Sequence, residues 1–139
     1  MTPERILADT NLFLRYLTND RPGQADAVER LLGEAAAGKV MLVVNDLVLA
    51  EIVWTLESFY RRPRLAIKES ILAILATPGL EIASRDVVLS AIEWYAEKNV
   101  DFIDAYNVAW LLHQRMAAVY SFDRKHFARL EGITLRVPG

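Results

Sequence analysis

Four carboxylates stand against apolar segments at wide intervals along the chain. Asp9 closes the run ILAD, Glu51 interrupts LVLAEIVW, Asp104 lies inside DFIDAYNVAWLL, and Asp123 follows AVYSF. A carboxylate beside a core is costly unless it is paired, hydrogen-bonded or bound to a cation. The cheapest reason that four such positions could share is a divalent metal ion. Carboxylate oxygens are hard ligands, so the ion would be Mg²⁺ or Mn²⁺.

Each residue also has a plainer reading. Asp9 could cap the next helix, although Thr10 or Asn11 would serve equally. Glu51 could belong to a buried ion pair, but Leu47, Val48, Trp54 and Thr55 occupy the positions three and four away. Asp101 and Asp104 have the spacing of a capping box, and for Asp101 a cap is at least as good a reading as a ligand. Asp123 could be a loop or N-cap aspartate. His113 and His126 show no paired ligand spacing and read as surface or packing residues. Trp54, Trp94, Tyr95 and Trp110 recur at helical spacing and read as core.

The elements that must position these groups alternate. Short apolar runs at Ile6–Ala8, Val40–Val44, Leu80–Ala83, Ala118–Phe122 and Ile133–Val137 read as strands, the first two as buried ones. Between them, apolar residues recur with helical period: Leu12 to Leu17, Ala25 to Ala35, a helix capped by Asn45 and reaching Phe59, and another from Pro63 to Leu75. A further helix is expected after Asp86 as cap, and one from Phe102 to Met116. This pattern predicts an α/β domain with a mostly parallel central sheet of about five short strands flanked by helices. In such sheets ligands bind outside the carboxyl ends of the strands. Asp9 and Asp123 fall there, and Asp104 and Glu51 lie in early turns of helices that can reach the same end.

With 139 residues and 53% hydrophobic content, the chain fits one domain, residues 1–139. The net charge of −2 excludes a broad electrostatic footprint for nucleic acid. Any such contact must rest on a local patch (Arg61, Arg62, Arg64 and Lys68, or Arg124, Lys125 and Arg129) or on metal ions. The absence of cysteine excludes disulfides, thiolate metal sites and cysteine nucleophiles. No apolar run approaches the roughly 20 residues needed to cross a bilayer, and no signal peptide is visible, so the chain reads as soluble and cytoplasmic.

Taken together, the stretches ADTNLFLRYL, LVLAEIVWTL, DFIDAYNVAW and YSFDRKHF resemble the PIN-domain ribonucleases, most closely the VapC toxins of type II toxin–antitoxin modules. The order and approximate spacing agree along nearly the whole chain. The resemblance implies a single PIN-like domain in which Asp9, Glu51, Asp104 and Asp123 are catalytic metal ligands. It implies a supporting role for Asn11 and Ser121, the latter where the family often has threonine, and a less certain metal role for Asp101. It further implies Mg²⁺ or Mn²⁺ as cofactor, RNA as substrate, and a cognate antitoxin and a second copy as partners. Apolar positions on the early helices around Leu49, Val53, Leu56 and Phe59 could serve the antitoxin, and core packing explains the same residues equally well. Hydrolysis of a phosphodiester needs a strong nucleophile and neutralisation of charge on phosphate oxygens, both of which a bound metal supplies.

Rival readings are a single-stranded DNA nuclease and a non-catalytic PIN-scaffold module that holds RNA or protein. A receiver domain would need adjacent acidic residues after the first strand. A haloacid dehalogenase-type phosphatase would need a D-x-D pair, which Asn11 breaks.

Overall fold

A computed structural model describes residues 2–139. The elements run β1 (Arg5–Leu7), α1 (Thr10–Thr18), α2 (Pro22–Ala36), β2 (Met41–Val44), α3 (Asp46–Ser58), α4 (Arg64–Leu75), β3 (Leu80–Ile82), α5 (Arg85–Glu97), α6 (Phe102–His113), β4 (Ala118–Tyr120), α7 (Arg124–Phe127) and β5 (Thr134–Arg136). The α/β alternation and the parallel pairing expected from the sequence are both present. The five strands, however, fall into two sheets rather than one: β1-β2-β3 and β4-β5, every pair parallel. Strands of three or four residues make few ladder bonds, so packing rather than strand length decides which strands share a sheet.

β2 behaves as the expected inner strand, with Leu42 and Val44 buried. β1 does not: Ile6 is 44% and Leu7 59% exposed, and burial begins at Ala8, whose amide still donates to Val43 O at 2.9 Å. The first apolar run is therefore an edge strand and not a buried one. A turn at Gly79 delivers the chain to β3. Its φ of +83° favours glycine, and a Cβ there would lie 2.4 Å from the Ala35 carbonyl, so α2 and this turn meet through bare backbone.

The helices bury Leu49, Ile52, Val53 and Leu56 of α3, Ile67 and Ile71 of α4, Val88, Ile92 and Tyr95 of α5, and Ala105 and Val108 of α6 in one core. Asn45 caps α3 as predicted, its side chain accepting from the Val48 amide at 2.9 Å. Two other predicted caps differ. Ser84, not Asp86, precedes α5, and Asp86 sits in the first turn, where a carboxylate still favours the helix dipole. Asp101 occupies the N-cap position of α6, but its side chain makes no capping hydrogen bond. α6 ends at His113, short of Met116, and α7 is a single turn that the sequence pattern does not announce.

Arg64 ties three helices together. Its Nη1 donates to the carbonyls of Tyr95 (2.8 Å) and Val100 (2.7 Å), and its guanidinium lies 4.2 Å from the Tyr95 ring centroid and 3.6 Å from Glu57. Tyr95 is fully buried and its hydroxyl donates to Glu57 at 2.7 Å. Burial and the neighbouring carboxylate both push that phenol well above its ordinary pKa. Lys68 pairs with Glu97 at 3.4 Å and Arg62 Nη2 donates to the Leu17 carbonyl at 3.2 Å, so three of the four cations in the first predicted basic patch are engaged within the fold.

Candidate metal centre

Asp104 projects from the first turn of α6, and Asp123 precedes the first turn of α7. His126, three residues on, completes the turn. One carboxylate oxygen of Asp123, Oδ1, accepts from the His126 amide at 3.2 Å. The other, Oδ2, lies 3.2 Å from His126 Nδ1, which also stands 3.0 Å from Asp104 Oδ2. Ser121 holds this corner by accepting from the Asp123 amide through Oγ at 2.9 Å. The capping and ligand readings of Asp123 are thus compatible, because each uses a different oxygen.

Asp104, Asp123 and His126 each offer an atom within 4.8 Å of the others, and all three are half-buried. Two hard carboxylates and one imidazole suit a first-row divalent cation, with the nitrogen favouring Mn²⁺ over Mg²⁺. Removal from water pushes the Asp104 carboxyl above the ordinary range, opposed by the His126 hydrogen bond and reinforced by the charges of Asp123 and Asp101. Asp123 moves the other way, held below the ordinary range chiefly by the His126 backbone amide. The imidazole Nδ1 lies within hydrogen-bond distance of both carboxylates.

His126, which reads from the sequence as a surface or packing residue, is set by the fold between two carboxylates. The signal for it is the D-x-x-H spacing from Asp123, which becomes meaningful once Asp123 is known to start a helical turn.

The other predicted carboxylates lie outside this cluster. Asp9 is exposed, at the N-cap of α1 just beyond the carboxyl end of β1, and makes no side-chain capping bond. Asn11 is exposed in the first turn of the same helix. Glu51 is exposed too, so the core burial that its apolar neighbours implied is absent. The helical period explains this: Ile52, Val53 and Leu56 turn inward, while Leu47 (80% exposed), Glu51 and Trp54 (66% exposed) form an outer stripe. Glu51 and Asp101 line a common cavity of about 260 Å³ with Trp54, Phe102 and Ile103. Asp101, which shares that cavity with Glu51, also raises the Asp104 carboxyl through its charge.

A second polar contact lies at the carboxyl end of β2. The Tyr106 hydroxyl donates to Asp46 Oδ2, while Asp46 Oδ1 is buried without a partner. Burial first, and Asp46 second, push the Tyr106 phenol up to about 12. Trp54 and Trp110, read as core from their spacing, are substantially exposed, whereas Tyr95 is buried as expected. Of the expected antitoxin-facing residues, Leu49, Val53 and Leu56 are core, and Phe59 alone is exposed.

No curated protein matches the chain. Among solved structures, it is similar to VapBC2 from Rickettsia felis, crystallised with a DNA fragment from its promoter. The identity is 13%, coverage is 98% of this chain and 99% of that one, and the TM-score is 0.38. It is also similar to Mycobacterium tuberculosis VapC20, a sarcin-ricin loop cleaving toxin, at 18% identity, coverage of 88% and 92%, and a TM-score of 0.35. At those scores neither likeness bears on fold or chemistry. The family comparison does, because the model of the PIN domain matches residues 6–133, nearly the whole chain. The chain belongs to the PIN domain family.

Proposed function

We propose that residues 1–139 form a single-domain, metal-dependent endoribonuclease, the toxin of a type II toxin–antitoxin module. The observation that carries this reading is the Asp104–Asp123–His126 cluster in a member of the PIN family. Asp9 and Glu51 complete the proposed set of catalytic carboxylates, with Asp101 as a further acidic neighbour. The position of Asp9 just past β1 and the cavity wall that Glu51 shares with Asp101, three residues before Asp104, support that grouping.

Asp104 and Asp123 would hold Mg²⁺ or Mn²⁺, with Asp9 and Glu51 contributing as the substrate is bound. When bound, the metal supplies an activated water and a Lewis acid for the phosphate. Ser121 fixes the Asp123 backbone, and the capped turn of α7 fixes the carboxylate direction. Asn11 holds the polar surface beside Asp9. His126 Nδ1 stands within hydrogen-bond distance of both carboxylates and orients them toward one another.

A chain of net charge −2 gains its attraction for RNA by filling an acidic cluster with cations. A cognate antitoxin offering a basic side chain to the same carboxylates would silence it. The exposed Leu47, Trp54 and Phe59 replace the inner face of α3 as the apolar surface for that partner. The active form is taken as a cytoplasmic homodimer. No helix of the described residues is long and apolar enough to cross a membrane.

Substitutions test the assignment. Asp9→Asn and Asp104→Asn should each lower RNA cleavage to background while leaving the circular dichroism spectrum and the unfolding midpoint near wild type. Full cleavage by either variant contradicts its place in the site.

A further inference from the structure

Beyond Asp104, the surface of α6 carries side chains that the metal-cluster reading leaves unused. Asp104, Asn107, Trp110 and His113 follow one another at intervals of three, and none is buried. Residues three apart on a helix are surface neighbours, with Cβ atoms about 5–6 Å apart. The row is therefore an inclined ridge that winds about 60° around the helix per step, leaving the metal cluster at Asp104 and reaching Trp110 about 9 Å along the axis and about a third of a turn around it. Val108, Ala109 and Leu111, interleaved with it, face the core.

The ridge ends at a cavity of about 410 Å³ beside the carboxyl end of β3. Its polar lining comes from Ser84, Arg85, Asp86, His113 and Gln114, with Trp110 (43% exposed) as the aromatic wall. One guanidinium and one carboxylate balance each other there, which disfavours a bare phosphate and suits a neutral polar group with both donors and acceptors. Trp110 offers a face of the kind on which nucleobases stack. Gln114 and those Arg85 N–H groups not taken by its Nη1 bond to the Leu75 carbonyl can donate to ring nitrogens and carbonyls, and Asp86 can accept from an exocyclic amino group.

We infer that the Asp104–Asn107–Trp110–His113 ridge is a substrate track that seats a nucleobase flanking the scissile phosphate on Trp110, with Asp86 selecting bases that carry an exocyclic amino group. The inference rests on the nuclease reading for its substrate, but it concerns a different part of the surface. Uracil, which lacks that amino group, is the disfavoured base.

The test is binding of labelled oligoadenylate, oligocytidylate and oligouridylate, measured by fluorescence anisotropy with Ca²⁺ present, alongside steady-state RNA cleavage with Mn²⁺. Trp110→Ala should weaken binding of the adenylate and cytidylate about tenfold and raise KM similarly, with little change in kcat. Trp110→Phe should restore most of that loss, and Asp86→Ala should remove the preference against uridylate. Absence of detectable binding by the wild-type chain overturns the track, as does a Trp110→Ala variant that binds all three strands like wild type. Cleavage by wild type with Trp110→Ala unchanged removes the track and leaves the nuclease standing. Trp110-dependent binding without cleavage removes the nuclease and leaves the track.

Discussion

At the scale of single residues, Asp123 shows how one side chain can serve both folding and chemistry. Its Oδ1 closes the first turn of α7, and its Oδ2 faces the His126 imidazole shared with Asp104. The sequence displayed the aspartates and even the cap, but not His126, because that contact exists only once a four-residue helix has formed. Asp46 was equally illegible: it looks like an ordinary first-turn acid until α6 brings Tyr106 against it. Removing that hydroxyl leaves both Asp46 oxygens without a partner, so Tyr106→Phe should destabilise the fold by about 1–3 kcal/mol in chemical denaturation.

The same pair sets an alkaline response. The Tyr106 pKa is raised from near 10 in the unfolded chain to about 12 in the folded one. Between these values the unfolded state loses its proton first, so stability from this group is complete below pH 10 and is lost as pH climbs toward 12. Tyr106→Phe should flatten that part of the stability–pH curve. An unchanged slope would mean that the hydroxyl is solvated.

Among elements, α3 and α6 supply most of the proposed chemistry, and both are misread by composition alone. LVLAEIVWTL looks apolar throughout, yet its period sorts it into a buried face and an outer stripe of Leu47, Glu51 and Trp54. Counting neighbours in sequence placed Glu51 in the core; counting around the helix places it at the surface. In contrast, the Asn45 cap was readable because its requirement is local: a side-chain oxygen three residues before an amide that needs it.

The division of the strands into two sheets was not readable, since runs of three or four residues carry no signature of their partners. The relative placement of α3, α4 and the α5–α6 junction depends on Arg64, which satisfies two main-chain carbonyls at once. Arg64→Ala should lower stability by about 3 kcal/mol, through lost charge-assisted hydrogen bonds and carbonyls left without donors. The denaturation midpoint should fall with little change in the slope of the transition. A loss below about 0.5 kcal/mol, the scale of an ordinary surface substitution, would mean that these carbonyls find other partners.

At the scale of the whole molecule, a slightly acidic chain of the PIN family carries the half-buried Asp104–Asp123–His126 group where two helices begin, and the exposed Trp54 and Trp110 on the same two helices as Glu51 and Asp104. The α/β class, the strand–helix alternation and the position of the carboxylates at strand ends and helix starts were legible from periodicity. Which of the carboxylates stand together depends on tertiary packing, and the described cluster joins Asp104 and Asp123 but not Asp9 or Glu51. The account nevertheless makes one chemical demand of the entire set: without a divalent cation the site should repel the strand it is proposed to cut.

The most direct test is therefore a side-by-side cleavage assay of the purified chain on single-stranded RNA and single-stranded DNA, before and after EDTA, with Mn²⁺ or Mg²⁺ added back. The account predicts internal cleavage of RNA that EDTA abolishes and either cation restores, Mn²⁺ more strongly. Cleavage that survives EDTA, cleavage confined to DNA, or no cleavage of RNA with either cation would contradict it.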